Sequence, residues 1–410
     1  MGGRMRIVEV NNYDLPGSVW NGYELHLQLL KEGIEANQIV LDKYSDTESV
    51  IALNVDKVLQ RQIMNFERKY SLSNLLYSKA SELEELEVFQ KADVVHYHFL
   101  NMGVSSLLDY PKLMNQKKSI WTIHDPWIVT GNCVHPLECN KWLTGCNNCD
   151  RSEDEYIGME GDNASFMYQV KKEILGKVNP YIIVSTDLMR RYLEKSPLTK
   201  HFDKIHVIPF GLEILEISFE RSSMCRKKYG ISETDLVIGF RKDEKKIKGT
   251  EYLYKSLDCI MERDGIVLAC MGNADIPKSI REKYRIIDFG WVDKKEEKQE
   301  FYDMIDLFIM PSLAESFGMM AVEAMAVGKA VMSFAGTVLE EVTYAPECGI
   351  TVPYLDYEKM AEKIVWLEKN REVLIQRGKL GHKIAKEKYS MEQYVNQHIK
   401  LYEEIFESEG

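Results

Sequence analysis

One stretch in the second half of the chain restricts the fold more than any other, because it places a buried strand directly before a helix. Residues 306–310 form an apolar run of the kind that builds an internal parallel strand. Pro311 ends the run, and a helix is predicted from Phe317 or Gly318 to about Val327. A strand, a short loop and a helix start in this order predict an α/β fold whose ligands bind at the carboxyl ends of parallel strands.

Two glutamates lie in this stretch, separated by seven residues. Glu315 stands at the mouth of the first helical turn, whose outward-pointing amides favour anions. Glu323 lies about two turns further on, within a Met/Ala/Val sequence, and a buried carboxylate needs a partner. Hydroxyl groups of a sugar or a ribose are donors that suit both carboxylates. The alternative is that Glu315 caps the helix and Glu323 is an ordinary surface residue.

The whole stretch resembles the signature of retaining GT-B glycosyltransferases of the family 4 type. That signature carries Ser-Phe-Gly after its first glutamate and Glu-Ala-Met-Ala from its second, and both are present here. The resemblance implies that Glu315 contacts the donor sugar and that Glu323 contacts the ribose of the nucleotide. It also places Ser316, Phe317 and Gly318 in the donor-binding stretch, with their backbone against the sugar or the phosphate.

Two cations follow the strand that is predicted over residues 236–240. Arg241 stands at the end of this strand, and Lys248 with Gly249 opens the next helix. A diphosphate needs cations that stay charged, and a helix start adds to their field. The resemblance implies that Arg241 and Lys248 clamp the donor diphosphate, whereas the residues alone also allow a solvated basic loop. It further implies that the turn containing Trp291 recognises the nucleotide base.

Two familiar motifs are absent from the chain, namely Asp-x-Asp and Gly-x-Gly-x-x-Gly. Enzymes that hold a nucleotide sugar through a divalent metal usually need such a carboxylate pair. We therefore expect no cofactor for catalysis, with cationic side chains and helix dipoles neutralising the phosphates of the nucleotide-sugar donor. The missing glycine pattern argues against a dinucleotide-dependent dehydrogenase.

A histidine ends the strand that is predicted over residues 119–125 in the first half. This is His124, and Asp125 and Trp127 follow it. A histidine at the carboxyl end of a strand is well placed to hydrogen-bond a ligand. The resemblance implies that His124 contacts the donor sugar near the reaction centre, and the alternative is a core histidine. Asp125 is expected to orient His124 or to contact the acceptor, and Trp127 is expected on the acceptor side. It also places Gly17 of the first loop beside the donor, although the paired glycines of the family are absent and a turn glycine is the alternative.

Histidines and cysteines of the first half are candidate metal ligands. His96 and His98 share one face of a predicted strand, so a metal pair is conceivable. The resemblance implies instead that they are structural or cleft-lining residues without metal. Four of the eight cysteines fall within 17 residues, and the last two have the two-residue gap of a zinc knuckle. In a cytosolic protein such clustering favours metal over disulfides, so a structural zinc and reduced or paired thiols are both retained as alternatives. The four are Cys133, Cys139, Cys146 and Cys149.

The length and the net charge of the chain limit the number of domains and the kinds of partner. The 410 residues suffice for two or three domains, and the net charge of −12 argues against nucleic acid as a partner. The start runs into a strand without a signal-peptide core, and no apolar run reaches the length of a membrane span, so a cytoplasmic protein is expected.

The resemblance covers nearly the whole chain and implies a GT-B fold, with two doubly wound Rossmann-like domains facing across a cleft. We expect an N-terminal acceptor-side domain over residues 1–210 and a nucleotide-sugar-binding domain over residues 211–388. A final helix over residues 389–410 is expected to cross back onto the first domain. Residues 47–90 are predicted to be helical.

The implied activity is transfer of a sugar from a nucleotide-diphosphate sugar to a hydroxyl of a glycan or lipid-linked glycan, with retained anomeric configuration. The setting implied is bacterial surface polysaccharide synthesis at the inner face of the membrane, with peripheral membrane contact. Two alternatives share the architecture: a nucleotide-sugar epimerase, and a non-catalytic sugar-nucleotide-binding protein.

Overall fold

The computed structural model of the protein describes residues 5–15, 17–19, 22–100, 103–150, 158–261 and 265–408. These residues divide into two compact units. The first unit runs to Gly211 and takes up the chain again from Glu392, and the second unit is Leu212–Met391. Each unit is built on its own parallel sheet.

The sheet of the first unit is doubly wound. Its strands are β1 Arg6–Tyr13, β2 Glu35–Asp42, β3 Val50–Ala52, β4 Val94–Tyr97, β5 Lys118–Thr122, β6 Tyr181–Val184 and β7 Ile205–Val207. They pair in the order β3-β2-β1-β4-β5-β6-β7, and each neighbouring pair is parallel. The order starts in the middle and grows in both directions, as in Rossmann-type folds.

Helices of the first unit alternate with these strands. They are α1 Tyr23–Lys31, α2 Lys57–Lys69, α3 Ala80–Glu85, α4 Glu87–Lys91, α5 Tyr110–Asn115, α6 Ala164–Leu175 and α7 Asp187–Lys195. Strand β4 is buried along its whole length, which is expected of an internal strand of a parallel sheet that is covered on both faces.

The sheet of the second unit repeats the same winding. Its strands are β8 Leu236–Arg241, β9 Ile266–Met271, β10 Arg285–Asp288, β11 Leu307–Met310, β12 Ala330–Phe334 and β13 Ile350–Val352. They pair in the order β10-β9-β8-β11-β12-β13, again in parallel. The helices are α8 Phe219–Lys228, α9 Thr250–Cys259, α10 Lys278–Lys283, α11 Lys295–Met304, α12 Met319–Ala326, α13 Val338–Val342, α14 Tyr357–Lys369 and α15 Arg371–Lys388.

Asp306 directly precedes strand β11, which the sequence predicts as an internal strand. Its carboxylate accepts hydrogen bonds from the Val237 amide over 2.8 Å, from Arg226 over 3.0 Å and from Arg371 over 2.9 Å. Two guanidinium groups and a backbone amide satisfy this half-buried charge, which would be costly to leave unpaired. The network therefore holds β8, β11 and two helices in register below the loops that follow these strands.

The last helix is α16 Met391–Glu407. From Glu392 onward it belongs to the first unit, and it buries an apolar face that includes Leu401 and Ile405. Its Tyr402 hydroxyl lies 2.7 Å from Nδ1 of His96, and Lys118 donates to the carbonyl oxygen of Phe406 over 3.0 Å. The C-terminal helix is thus part of the packing of β4 and β5.

The predicted α/β class with two Rossmann-like sheets is confirmed. The central elements are shorter than predicted, since β11 begins at Leu307 and α12 covers Met319–Ala326. The prediction of an all-helical segment over residues 47–90 is wrong, because Val50–Ala52 adds a strand to the edge of the sheet. Among the described residues, no helix combines the length and the apolar character needed to cross a bilayer.

Candidate functional site

The winding of the second sheet reverses between two neighbouring strands, β8 and β11, which pair at Ile238 and Leu307. Open α/β sheets bind their ligands outside the carboxyl ends of the strands at such a switch point. The loop after β8 leads to Lys248, and the loop after β11 carries Glu315. The fold therefore places the predicted cation and the predicted carboxylate at the same edge of the sheet.

Lys248 and Glu315 contact each other at this switch point. Lys248 Nζ donates to Glu315 Oε1 over 2.7 Å, and Ser312 Oγ donates to the same oxygen over 2.9 Å. The two loops come this close because Gly249 has a φ of 64°, and a Cβ at this residue would lie 1.9 Å from the Pro311 carbonyl oxygen. Glycine is thus required both for the left-handed backbone and for the approach of the loops.

Arg241 lies at the end of β8 with 40% of its side chain exposed. Its guanidinium pairs with Asp243 over 3.0 Å and stands 5.6 Å from the ring centre of Trp291. Trp291 is 54% exposed, and its indole N–H donates to Asp293 over 2.7 Å. The predicted phosphate-binding arginine and the predicted base-side turn are therefore neighbours, and both present surface to solvent.

The start of helix α12 is held by its apolar neighbours. Gly318 precedes the helix with a φ of 97°, and a Cβ there would lie 2.4 Å from Leu339 Cδ2. The buried Phe317 ring packs edge-on against Tyr389 at 5.6 Å. Gly318 is the N-cap residue, and a glycine has no side chain with which to cap the helix. The alternative that Glu315 is the helix cap therefore does not describe this structure.

Glu323 is a partly buried carboxylate with two protein partners. Lys298 Nζ donates to Oε1 over 2.6 Å, and the Tyr302 hydroxyl donates to Oε2 over 2.8 Å. Burial, together with the negative charge of Glu323, raises the pKa of Tyr302 well above its usual value, so this hydroxyl stays a donor. The alternative of an ordinary surface glutamate is thus wrong. Sequence reasoning missed Lys298 and Tyr302, although their spacing of four on α11 places both on one helix face.

His124 follows β5 in the first unit and is held between aromatic rings. It stacks on Phe99 with 4.1 Å between ring centroids and 10° between planes, and on Phe210 at 5.8 Å. Burial, with a smaller contribution from the charge of His98, lowers the pKa of His124 well below 6.5. The imidazole is therefore neutral at physiological pH and can either donate or accept a hydrogen bond.

Asp125 and Trp127, the two residues predicted on the acceptor side, differ in their exposure to solvent. Asp125 accepts a hydrogen bond from the Trp127 amide over 2.9 Å and begins a short 3₁₀ turn. Trp127 is only 2% exposed, and the Lys171 ammonium lies 3.6 Å from its ring centre. Trp127 is therefore a packing residue in this structure, and Asp125 is the more accessible of the two. Gly17 lies in the first loop with a φ of 70°.

A group of buried polar residues lies on and next to the neighbouring strands β1 and β4. Glu9, His96 and His98 have ligand-type atoms within 4.8 Å of one another, the single group of its kind among the described residues. Glu9 Oε2 contacts His26 over 3.0 Å, and His96 contacts the hydroxyls of Tyr402 and Thr122 over 2.7 and 2.6 Å. His26 and His96 therefore have protein partners in this structure, and a structural role for His96 and His98 stays a prediction.

The four clustered cysteines line one small cavity with Gly131, Asn132 and Trp142. In the described part of the chain none of them is joined in a disulfide. Cys146 Sγ accepts a hydrogen bond from the Gly131 amide over 3.2 Å. Among the described residues, no three of these cysteines form a group whose sulfur atoms all lie within 4.8 Å of one another. A structural zinc at Cys133, Cys139, Cys146 and Cys149 therefore stays a prediction.

Comparison with known proteins bears on the second unit most directly. The family model described as glycosyl transferases group 1 matches residues 236–370. These residues include β8, β11 and both loops of the switch point. Residues 236–370 form a glycosyl transferases group 1 domain. The Lys248–Glu315 contact thus belongs to this glycosyltransferase domain.

Curated relatives match part of the chain. An uncharacterized glycosyltransferase of Methanocaldococcus jannaschii is 27% identical over 227 residues, which is 51% of this chain and 56% of the relative. The putative colanic acid biosynthesis glycosyl transferase WcaC of Escherichia coli is 26% identical over 175 residues, covering 38% of this chain and 42% of WcaC. The chain thus matches about half the length of these relatives.

Solved structures match almost the whole chain. Sucrose-phosphate synthase from Thermosynechococcus elongatus has a TM-score of 0.70 at 16% identity and covers 98% of this chain and 99% of its own. HepE of Anabaena, solved in complex with UDP, has a TM-score of 0.66 at 12% identity and covers 98% of this chain and 100% of its own. At these identities the matches show the fold, and they confirm the predicted GT-B glycosyltransferase fold.

Proposed function

We propose that the protein is a retaining glycosyltransferase that moves a sugar from a nucleotide-diphosphate sugar to a hydroxyl of a glycan or lipid-linked glycan. The observation that carries this proposal is the contact of Lys248 with Glu315 at the switch point of the glycosyl transferases group 1 domain. A cation and a carboxylate at one strand edge suit the two halves of such a donor, a diphosphate and a polyhydroxylated ring.

Donor binding would replace the contact between Lys248 and Glu315 by contacts of each residue with the donor. A diphosphate carries more negative charge than Glu315, so it would draw Lys248 away from the carboxylate. Glu315 would then be available to accept hydrogen bonds from hydroxyls of the transferred sugar. Arg241 and the amides at the start of α12 would hold the same phosphates, because helix starts favour anions.

The reaction proposed is departure of the nucleotide diphosphate on the face from which the acceptor hydroxyl attacks. The bond from the sugar to the phosphate oxygen would break as the bond to the acceptor oxygen forms, and the hydroxyl proton would pass to the leaving phosphate oxygen. Lys248, Arg241 and the helix start would stabilise the charge that develops on the leaving phosphate. Glu315 and His124 would position the sugar, and Asp125 would lie on the acceptor side. No residue is assigned as a covalent nucleophile, and no metal is assigned to catalysis.

Nucleotide contacts would complete the donor site. Glu323 would hold the ribose, in place of or in addition to its contacts with Lys298 and Tyr302. The exposed turn at Trp291 would face the base. HepE was solved with UDP, and CapM of Staphylococcus aureus, a relative of this chain, is named for capsular polysaccharide biosynthesis. A uridine donor and a surface-polysaccharide acceptor are therefore the first to test.

A panel of nucleotide sugars tests the proposal. The purified chain is incubated with each sugar, with and without glycan acceptors, and release of nucleoside diphosphate is measured. We expect release from one donor to rise when its acceptor is added. Isomerised sugar without an acceptor would favour the epimerase alternative. Binding of a donor without any turnover would favour the non-catalytic alternative.

A further inference from the structure

Helix α11 presents a lysine to the carboxylate that is proposed to hold the ribose of the donor. Lys298 lies one helical turn before Tyr302, and both side chains reach Glu323, over 2.6 and 2.8 Å. The helix is held from the core side, because the buried Phe301 ring packs edge-on against Phe289 at 5.7 Å. Lys298 therefore stands beside Glu323 on a well-packed helix.

The two partners of Glu323 differ in the hydrogen-bond donors that they have left. The Tyr302 hydroxyl has a single proton, which Glu323 takes up, with the Met320 carbonyl oxygen at 3.3 Å as a second acceptor. The Lys298 ammonium has three protons, and in the described part of the chain its one hydrogen bond is the contact with Glu323. The Lys298 side chain is 41% exposed, so its other donors are available to a ligand.

Glu323 keeps acceptor sites for the two hydroxyl groups of a ribose. A carboxylate has about four lone-pair sites, and the contacts with Lys298 and Tyr302 take two of them. The Glu323 side chain is 18% exposed, so a ligand can reach the others. Each ribose hydroxyl donates one hydrogen bond and also accepts. A ribose held by Glu323 thus needs a donor for its hydroxyl oxygens, and Lys298 is the neighbour that can supply one.

The residues proposed for the phosphates and for the ribose are close enough to share one nucleotide. Burial and the negative charge of Glu323 raise the pKa of Tyr302, and the positive charge of Arg241 opposes this rise. Arg241 therefore lies within electrostatic reach of the group formed by Lys298, Tyr302 and Glu323. An ion pair between partly exposed side chains contributes little to stability, so the fold alone gives Lys298 a weak role.

We propose that Lys298 determines the specificity for ribose, by donating a hydrogen bond to a ribose hydroxyl that itself donates to Glu323. The inference rests on the proposed function and deepens it by naming the class of donor. That donor is a ribonucleoside diphosphate sugar, and its 2′-deoxy counterpart is a poor substrate. Without the hydroxyl, Lys298 and Glu323 lose their shared partner, and a site with unpaired polar groups discriminates strongly against such an analogue.

Calorimetric titration of the full chain tests this inference. The probes are the diphosphates of uridine, cytidine, adenosine and guanosine, each with its 2′-deoxy and 3′-deoxy counterparts. We expect the nucleotide that binds to be preferred over its 2′-deoxy counterpart by about tenfold or more, as hydrogen bonds to charged groups imply. Lys298→Met should weaken the ribonucleotide by a similar factor and leave at least one deoxy counterpart nearly unchanged. Lys298→Arg keeps the donors and should retain more of the preference.

The double variant Glu323→Gln/Lys298→Met separates a direct contact from a role through Glu323. In a chain that already carries Glu323→Gln, the second substitution should narrow the preference for ribose further. The absence of any further change would mean that Lys298 acts only by positioning Glu323, and would overturn the direct contact. Equal weakening of ribonucleotide and deoxyribonucleotide by Lys298→Met would assign a merely structural role and would overturn it as well.

Lys294→Met is the matched control, since the Lys294 side chain is 75% exposed at the start of the same helix and pairs with Glu297. It should bind every nucleotide as the unchanged chain does, and melting temperatures check that each variant is folded. If Glu323→Gln weakens the ribonucleotide and Lys298→Met does not, the inference is wrong while the proposed function stands. If no nucleoside diphosphate binds, or if neither substitution affects binding, the inference and the proposed nucleotide site are both wrong.

Discussion

Glu315→Gln is expected to slow sugar transfer by the equivalent of about 1.5–3 kcal/mol, the usual worth of a hydrogen bond to a charged group. Affinity for the free nucleoside diphosphate should stay equal or become tighter. This ligand lacks the sugar that Glu315 is proposed to hold, and the substitution releases Lys248 from its 2.7 Å contact. Turnover is measured with the donor found in the panel, and affinity by calorimetry.

Glu323→Gln is the matched control, because it makes the same change in the neighbouring helix. It should weaken the binding of the free nucleoside diphosphate by a similar free energy, because this ligand still contains the ribose. The contrast between the two variants separates a sugar contact from a nucleotide contact. A Glu315→Gln enzyme with normal turnover but a lower melting temperature would instead assign Glu315 to the support of the loop.

Acid is expected to destabilise the first unit through its buried histidines. Burial, with contributions from the charges of neighbouring histidines, lowers the pKa of His96 well below 6.5. Burial lowers the pKa of His398 to about 4. Burial alone would raise the pKa of Glu9, but its contacts with His26 and His98 bring it below the usual 4.5. The folded state therefore binds fewer protons than the unfolded chain.

These groups should accordingly leave the free energy of unfolding constant from pH 8 to pH 7. Below about pH 6.5 they should lower it. For His398 alone, the difference between 6.5 and about 4 corresponds to a loss of about 3 kcal/mol once the pH is below 4. Denaturant unfolding at several pH values measures this loss. His398→Leu should flatten the profile by that amount, and His201→Gln, outside the cluster, should not. An unchanged profile for His398→Leu would contradict the assignment.

Much of the fold could be predicted because its strands are buried on both faces. The apolar run that ends at Met310 has to be an internal strand, and Pro311 has to end it, whatever the rest of the chain does. Val50–Ala52 could not be found in this way, because three residues at a sheet edge carry too little periodicity. Their place depends on pairing with β2, which is a tertiary contact.

The candidate site could be predicted to the level of single residues but not of pairs. Motif spacing identifies Lys248 and Glu315 separately, whereas their contact depends on the approach of two loops at Gly249. Trp127 follows His124 closely in sequence, yet a 3₁₀ turn carries it into the core beside Lys171. The contacts of Lys298 and Tyr302 with Glu323 could not be predicted, because a lysine and a tyrosine on an amphipathic helix form no distinctive local pattern.

Calorimetric titration of a nucleoside diphosphate tests the central claim, that the loops after β8 and β11 bind the donor phosphates. The account predicts that Arg241→Ala and Lys248→Ala each weaken binding by about 1–3 kcal/mol. Lys246→Ala, which removes an exposed lysine of the same loop, should leave the affinity nearly unchanged. Equal affinity for all three variants and the unchanged chain would contradict the claim and leave these residues as a solvated basic loop.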